Sequence, residues 1–328
     1  MITTIKDIGE AELLNRLKKF MRSGQIDDDI AEINTTKKNL LVNTDLLVEE
    51  IHFSDKISIA KDIGWKSIAT NVSDLICSGS EKITSFSIGL VLPPKTNWKW
   101  VQNLYEGMSQ AIQVFGGEII GGDCSSGPIK IISITATGER NEPRLHRGNA
   151  IPGDYLVSMG SHGLSRLGLA LLKSEELPSD IQLSSRLVKR AIQAHRRPYP
   201  AVEALRALKA AKPQSLSWRA AGTDSSDGLL ESIRGICQSS GCQAVLSKNS
   251  LPTDPDWPKQ SNWNEWCLNG GEDYELVLSL PKDWAEALCK EYKLAKIIGF
   301  IKKGNPNIFW DNLEKIENDK SELFQHFK

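Results

Sequence analysis

The stretch Ala220-Ala221-Gly222-Thr223-Asp224-Ser225-Ser226-Asp227-Gly228-Leu229-Leu230 reads as a strand, an acidic turn and the start of a helix. Residues 220–223 are small or β-tolerant, the serines and acids that follow are capping and turn chemistry, and Leu229, Leu230, Ile233 and Ile236 recur at helical spacing. The same alternation repeats outward. Downstream, residues 275–280 and 295–301 read as the last strands. Upstream, 155–159 reads as a strand and 162–172 as a helix, and two further helices flank the kink at Pro198-Tyr199-Pro200. Nearer the start come a buried strand over 40–42 ending at Asn43-Thr44-Asp45, a helix over 62–78, a strand over 83–92 halted by Pro93-Pro94, and a helix over 97–115. A short strand over 118–120 is then broken by Gly121-Gly122-Asp123, and 129–137 alternates like a sheet strand. An opening helix over 7–21 precedes them all. Strands mixed with helices throughout predict an α/β chain of the α+β type.

At 328 residues the chain suits two domains of about 150 residues each. The turn Pro152-Gly153-Asp154 places the crossing within 141–154, and the expected division is 1–145 and 146–328. Lys plus Arg (40) nearly balances Asp plus Glu (41), so no global field favours nucleic acid or an anionic membrane. No apolar run reaches the roughly 18 residues of a membrane span, and the first twenty residues lack a signal-peptide core, so the expectation is a cytoplasmic protein. The 6 cysteines show no C-x-x-C pair and no zinc spacing.

The candidate chemistry lies in the aspartates. Asp29, Asp45, Asp74, Asp123, Asp224 and Asp227 all fall at ends of expected strands or helices, where α/β folds place their sites. Magnesium takes hard oxygen ligands and is usually held by a few carboxylates together with substrate phosphates. An aspartate in such a place is equally an N-cap or turn residue when taken alone. In Asp27-Asp28-Asp29, unit charges about 4 Å apart repel by about 4 kcal/mol at an effective dielectric near 20, which either cations or full solvation offset. Gly121-Gly122-Asp123 offers backbone N–H groups to a phosphate and a carboxylate to a metal, or else a tight turn. Two acids flank the anion-favouring helix start at Asp224-Ser225-Ser226-Asp227, which implies a bridging cation. Gly270-Gly271-Glu272-Asp273-Tyr274-Glu275-Leu276 repeats glycine-then-acid, as a glycine bulge before a strand also would. Arg147 is a phosphate contact or a solvated arginine, and His52 a substrate contact or a structural histidine. Neither a G-x-x-x-x-G-K-[ST] loop nor a strand-linked G-x-G-x-x-G is present, which disfavours P-loop and protein-kinase folds.

Taken in order, Asp27-Asp28-Asp29, Asn43-Thr44-Asp45 with His52-Phe53, Gly64-Trp65-Lys66 through Asn71-Val72-Ser73-Asp74-Leu75, Gly121-Gly122-Asp123, Asp224-Ser225-Ser226-Asp227-Gly228-Leu229 and the 270–276 block resemble the thiamine-monophosphate kinase family over nearly the whole chain. The resemblance implies a two-domain aminoimidazole-ribonucleotide-synthetase-like fold. Its N-terminal domain (1–145) would bind ATP and magnesium and form a dimeric β-barrel, and its C-terminal α/β domain (146–328) would close the site. It implies several Mg2+ ions on Asp29, Thr44, Asp45, Asp74, Asp123, Asp224 and Asp227, with ATP as co-substrate on Tyr105, Gly122, Asp123, Arg147 and Ser226. Thiamine monophosphate would meet His52, Glu272 and Phe324.

The implied reaction is in-line transfer of the γ-phosphoryl group of ATP to thiamine monophosphate by a cytoplasmic homodimer, with no covalent nucleophile. Neither nucleic acid nor membrane is an implied partner. This chain differs from the family pattern at Asn43, where serine or threonine is usual, at Cys77-Ser78-Gly79-Ser80 for Ala-Met-Gly-Ala, and at Cys124-Ser125 for a threonine pair. Two alternatives stand beside the kinase reading: a non-catalytic nucleotide- or metal-binding paralogue, and another ATP-using synthetase of the same superfamily.

Overall fold

The structure, a computed structural model, describes residues 31–34, 39–141 and 144–316. The expected helix over 7–21, the acidic run ending at Asp29, and Phe324 lie outside the described residues.

Two sheets organise the chain. The first has the order β1-β2-β5-β3-β4, formed by β1 (Ala31–Asn34), β2 (Asn39–Val48), β3 (Lys82–Leu92), β4 (Gly116–Ser126) and β5 (Ile131–Arg140). All its pairings are antiparallel except β3 with β4. Helices α1 (Ala60–Cys77) and α2 (Trp98–Phe115) connect these strands and pack on the sheet, because alternate positions such as Leu41, Leu47, Ile88, Ile132 and Ile134 present one apolar face. The two helices cross closely at a pair of glycines. A Cβ on Gly64 would sit 2.0 Å from the Leu104 carbonyl oxygen, and one on Gly107 would sit 1.9 Å from that of Lys61.

The second sheet has the order β11-β8-β10-β6-β9-β7, formed by β6 (Tyr155–Ser158), β7 (Ala221–Thr223), β8 (Gln243–Leu246), β9 (Val277–Leu280), β10 (Lys296–Lys302) and β11 (Ile308–Trp310). Around it lie α3 (Leu164–Lys173), α4 (Ser185–Arg196), α5 (Val202–Ala210), α6 (Leu229–Ser240), α7 (Asn264–Asn269) and α8 (Lys282–Glu291). One apolar core runs without a break from Leu41 and Ile68 on the first sheet's side to Leu278 and Trp284 on the second's.

Helix α1 is enclosed by this arrangement, and its polar residues Asp62, Lys66, Asn71 and Ser73 are buried along with its apolar ones. Buried polar groups need partners. Three of these four find them across the sheet boundary: Asp62 with Arg197, Lys66 with Glu272, and Ser73 with Asp224.

Most expected elements appear with ends shifted by a residue or two. Two differ in kind, and β1, β8, β11, α7 and α8 are not among the expected elements. The strand expected over 40–42 continues through Asn43-Thr44-Asp45 to Val48, because β5 pairs with it along its whole length. The strand expected to break at Gly121-Gly122-Asp123 runs on to Ser126, because β3 supplies a ladder that outweighs the flexibility of glycine. Asp45 and Asp123 are therefore within strands rather than at their ends. Strand β8 lacked a sequence signal, and β11 follows the strands read as last.

Candidate active site

The carboxylates are positioned by three elements. On β2, Asn43 and Asp45 alternate with Leu41 and Leu47 and so share the face packed under α1. Asn43 Nδ2 donates to Asp74 Oδ2 at 2.8 Å and to Asn71 Oδ1 at 3.2 Å, which ties β2 to the last turns of α1. One residue before Asp74, the Ser73 hydroxyl donates to Asp224 Oδ2 at 2.8 Å, and Asp224 immediately follows β7 of the second sheet. The buried Tyr274 phenol is pushed far up by burial and then by the negative fields of Glu272, Asp45, Asp224 and Asp74. Asp45, Asp74 and Asp224 therefore all lie within electrostatic reach of one buried phenol, although 179 positions separate the first from the last.

Two loops lock this arrangement. In the Asp224–Gly228 turn, Gly228 takes φ 100°, a conformation that suits glycine, and α6 begins at the next residue. The Ser226 carbonyl accepts from the Glu272 N–H at 2.7 Å, and the Ser225 hydroxyl accepts from the Glu275 N–H at 3.0 Å. Asp273 accepts from the N–H groups of Gly163 (2.6 Å) and Ser165 (2.9 Å) at the start of α3. Glu272 and Tyr274 both adopt left-handed backbone, at φ 65° and 54°, a strain that neighbouring structure must hold in place.

Glu272 sits between Lys66 Nζ at 2.6 Å and His195 Nδ1 at 3.4 Å. Burial alone would raise its carboxyl, but the Lys66 charge and hydrogen bond, with the imidazoles of His195 and His52, outweigh burial and keep it below the usual range. His52 is thus within electrostatic reach of Glu272, and its Nδ1 accepts from the Val48 N–H at 3.0 Å. Arg147 donates through Nε to Thr223 Oγ1 at 2.9 Å, one residue before Asp224. Ser226 Oγ lies 3.3 Å from Asp224 Oδ1, and Asp227 is exposed at the same turn.

Thr44 and Asp123 lie apart from this group. Thr44 bonds to Thr135 at 2.8 Å on the opposite face of β2 from Asp45. Asp123 pairs with Gly89, which pairs with Ser133 and then Leu46, so the pleat puts it on the Thr44 face, at the exposed β4 edge. Gly122 is in register with Asp45 through Ile88 and Ile134, three strand spacings or about 14 Å away. Among the described residues no three His, Cys, Asp or Glu side chains are arranged to hold one ion. One observation nevertheless fits a hard cation: Asn43 Oδ1, buried beside Asp74, has no hydrogen-bond partner among the described residues.

A groove of about 920 Å³ opens between α2 and the β3–β4 edge, lined by Leu90, Leu92, Val101, Tyr105, Gln110 and Cys124. Burial raises the Tyr105 phenol, with a smaller contribution from Cys124. Cys124 and the other cysteines are free thiols.

Over 323 residues the chain is 49% identical to thiamine-monophosphate kinase of Prochlorococcus marinus, covering 98% of this chain and 97% of that protein. The chain belongs to the thiamine-monophosphate kinase family. A second thiamine-monophosphate kinase, of Synechococcus elongatus, is 35% identical over 330 residues, covering 99% of this chain and 98% of its own. Residues 27–140 match the family described as AIR synthase related protein, N-terminal domain. The solved structure of AaThiL complexed with AMPPCP and TMP superposes with a TM-score of 0.85 at 29% identity, covering 100% of each chain. The thiamine-monophosphate kinase fold is thus present as two mixed sheets with flanking helices, and among the described residues the first sheet is open, with β1 and β4 at its edges. No helix among the described residues is long and apolar enough to cross a membrane.

Lys66, Ser73, His195 and Tyr274 escaped the sequence reading as site residues. Lys66 had one signal: it falls three residues after Ile63 on the apolar stripe of its helix, where an unpaired ammonium does not belong. His195 had none, since its neighbour Glu272 is 77 positions away.

Proposed function

We propose that this chain transfers the γ-phosphoryl group of ATP to the terminal phosphate of thiamine monophosphate, giving thiamine diphosphate and ADP. The observation that carries the reading is that Asn43 and Ser73 tie Asp74 and Asp224 together across the two sheets, with Asp45 and the Glu272 carboxylate within electrostatic reach of the same Tyr274 phenol. Full-length likeness to AaThiL complexed with AMPPCP and TMP supports a site with room for two ligands.

The nucleotide base lies in the groove beside Tyr105, and the phosphates run past Gly122 and Asp123 toward Arg147 and Ser226. Thiamine monophosphate enters beside His52 and Glu272, with Phe324 as a further contact. Asp29, Thr44, Asp45, Asp74, Asp123, Asp224 and Asp227 would hold several Mg2+ ions, with Thr44 and Asp123 on the opposite face of the first sheet from Asp45; the unpartnered Asn43 Oδ1 supports the part of this set around Asp74. Bound there, Mg2+ would neutralise phosphate charge during transfer. The protein's own task is positioning. Ser73 and Ser226 orient Asp224, Asn43 orients Asp74, and Thr223 orients Arg147. A phosphate monoester has its second pKa near about 6, so the acceptor is ionised without a protein base.

The two units are 1–145 and 146–328, and two cytoplasmic copies pair through the first to close its open sheet into a barrel. The exposed β4 edge, with Ile120 65% exposed, supports that pairing.

The test is ADP release coupled to chromatography of thiamine diphosphate, run with and without Mg2+ and with and without thiamine monophosphate. Equimolar ADP and thiamine diphosphate, dependent on both additions, is expected. ATP hydrolysis without the acceptor, or no product with it, rejects the reading.

A further inference from the structure

Glu272, Lys66 and His195 form a cluster drawn from three places: the loop before β9, helix α1 and helix α4. Their exposures differ in a way that assigns their roles. The Lys66 side chain is 6% exposed and that of His195 5%, whereas that of Glu272 is 29% exposed. Only the carboxylate is open to a ligand; the two nitrogen groups behind it are sealed in the protein.

We propose that Lys66 and His195 are positioning residues for thiamine monophosphate, acting through Glu272, whose two oxygens they hold from behind while its outward lone pairs face the substrate. The proposal rests on the kinase reading above and deepens it.

Each carboxylate oxygen has two acceptor sites. Lys66 takes one on Oε1 and His195 approaches Oε2, which leaves acceptor capacity for an amino group or a cationic ring of the substrate. His195 is itself set by Ser165, whose Oγ lies 3.1 Å from Nδ1. Burial, and then the nearby Lys66 charge, lower the imidazole to about 4, so near neutral pH it approaches Oε2 as a neutral polar ring without a second full charge. Lys66 alone then balances the carboxylate. The left-handed backbone of Glu272 is the local strain that this grip maintains, supported by the Glu272 N–H bond to the Ser226 carbonyl. Because Lys66 comes from the first sheet's side and Glu272 from the second's, the Glu272 carboxylate is correctly aimed at the substrate only when the two halves are docked.

The experiment is a pair of double-mutant cycles on the full chain, Lys66→Met with Glu272→Gln and His195→Gln with Glu272→Gln. Thiamine monophosphate binding is measured by calorimetry, KM for ATP by ADP release, and folding by Tm. Each single change is expected to weaken thiamine monophosphate binding by about tenfold, the scale of one hydrogen bond to a charged group. KM for ATP should stay within about twofold. Each double variant should bind within about twofold of Glu272→Gln alone, since a residue acting through Glu272 has nothing left to act on.

Additive losses, or equal losses for both substrates, overturn the proposal. Should Lys66→Met fail to fold, the His195 cycle decides by the same criteria. Wild-type protein that does not bind thiamine monophosphate overturns the kinase reading and this inference together; normal wild-type binding with additive cycles overturns the inference alone.

Discussion

Asp45, Asp74 and Asp224 all act on the Tyr274 phenol and so lie near enough to repel one another when ionised; a pair about 4 Å apart would do so by about 4 kcal/mol at an effective dielectric near 20. Donors from Asn43, Ser73 and Ser226 offset part of that repulsion in the folded chain. The remainder favours a bound cation. Asp45→Asn removes one charge with almost no change of shape. It is expected to lower kcat by about a hundredfold or more, as loss of a transition-state electrostatic group does, while Tm changes by no more than a few degrees. Steady-state ADP release and calorimetry check this, and an Asp45→Asn variant with full activity contradicts the assignment. Glu275 gives a separate pH prediction. Its carboxyl is pressed against Gly160, and burial, then the Asp273 charge, raise it from 4.5 to about 8. The unfolded chain loses this proton near 4.5 and the folded chain near 8, so the group's stabilising contribution is complete below about 4.5 and diminishes as pH rises toward about 8. Tm of the wild type minus Tm of Glu275→Gln should therefore fall between about pH 5 and pH 8. A flat or rising difference refutes the assignment of that titration to Glu275.

At the scale of elements, α1 is the piece on which the site depends. Its contact with α2 admits no Cβ at Gly64 or Gly107, since either would meet backbone at 2.0 Å or less. Gly64→Ala must push the two helices apart and is expected to cost about 1–3 kcal/mol, as overpacking of a well-filled contact does. Because α1 carries Lys66, Ser73 and Asp74, the displacement should also weaken binding of both substrates. Urea unfolding and ligand calorimetry measure the two effects, and an unchanged midpoint would show that the crossing is looser than described. Strand β4 shows how a neighbour overrides local preference. Its glycines argue for a break, yet β3 pairs with it from Gly116 to Ser126 and the chain stays extended. Gly121-Gly122-Asp123 thereby becomes a flat, exposed edge beside the Tyr105 groove instead of a loop.

At the scale of the whole molecule, the first sheet ends, among the described residues, in that exposed edge, where Ile119 is 36% and Ile120 65% exposed. Edges of this kind recruit another strand unless something blocks them. Light scattering is expected to give about twice the chain mass of 36.3 kDa, and Ile120→Lys on β4 should shift the protein toward monomer. A wild-type monomer at assay concentration would rule out the barrel. Much of this architecture was legible in the linear chain. Helices over 62–78 and 97–115 were readable because apolar residues recur every three or four positions, and the order of acid and glycine blocks pointed to the family that full-length identity establishes. Glu272 was named as a substrate contact from that order alone. Its grip by Lys66 and His195 was not readable, nor was the bond from Ser73 to Asp224, because these pairs are 206, 77 and 151 positions apart and no local pattern encodes a distant partner. Periodicity specifies which face of an element is buried; only the packing of one element against another decides which polar group meets which charge, since burying either one alone would be too costly.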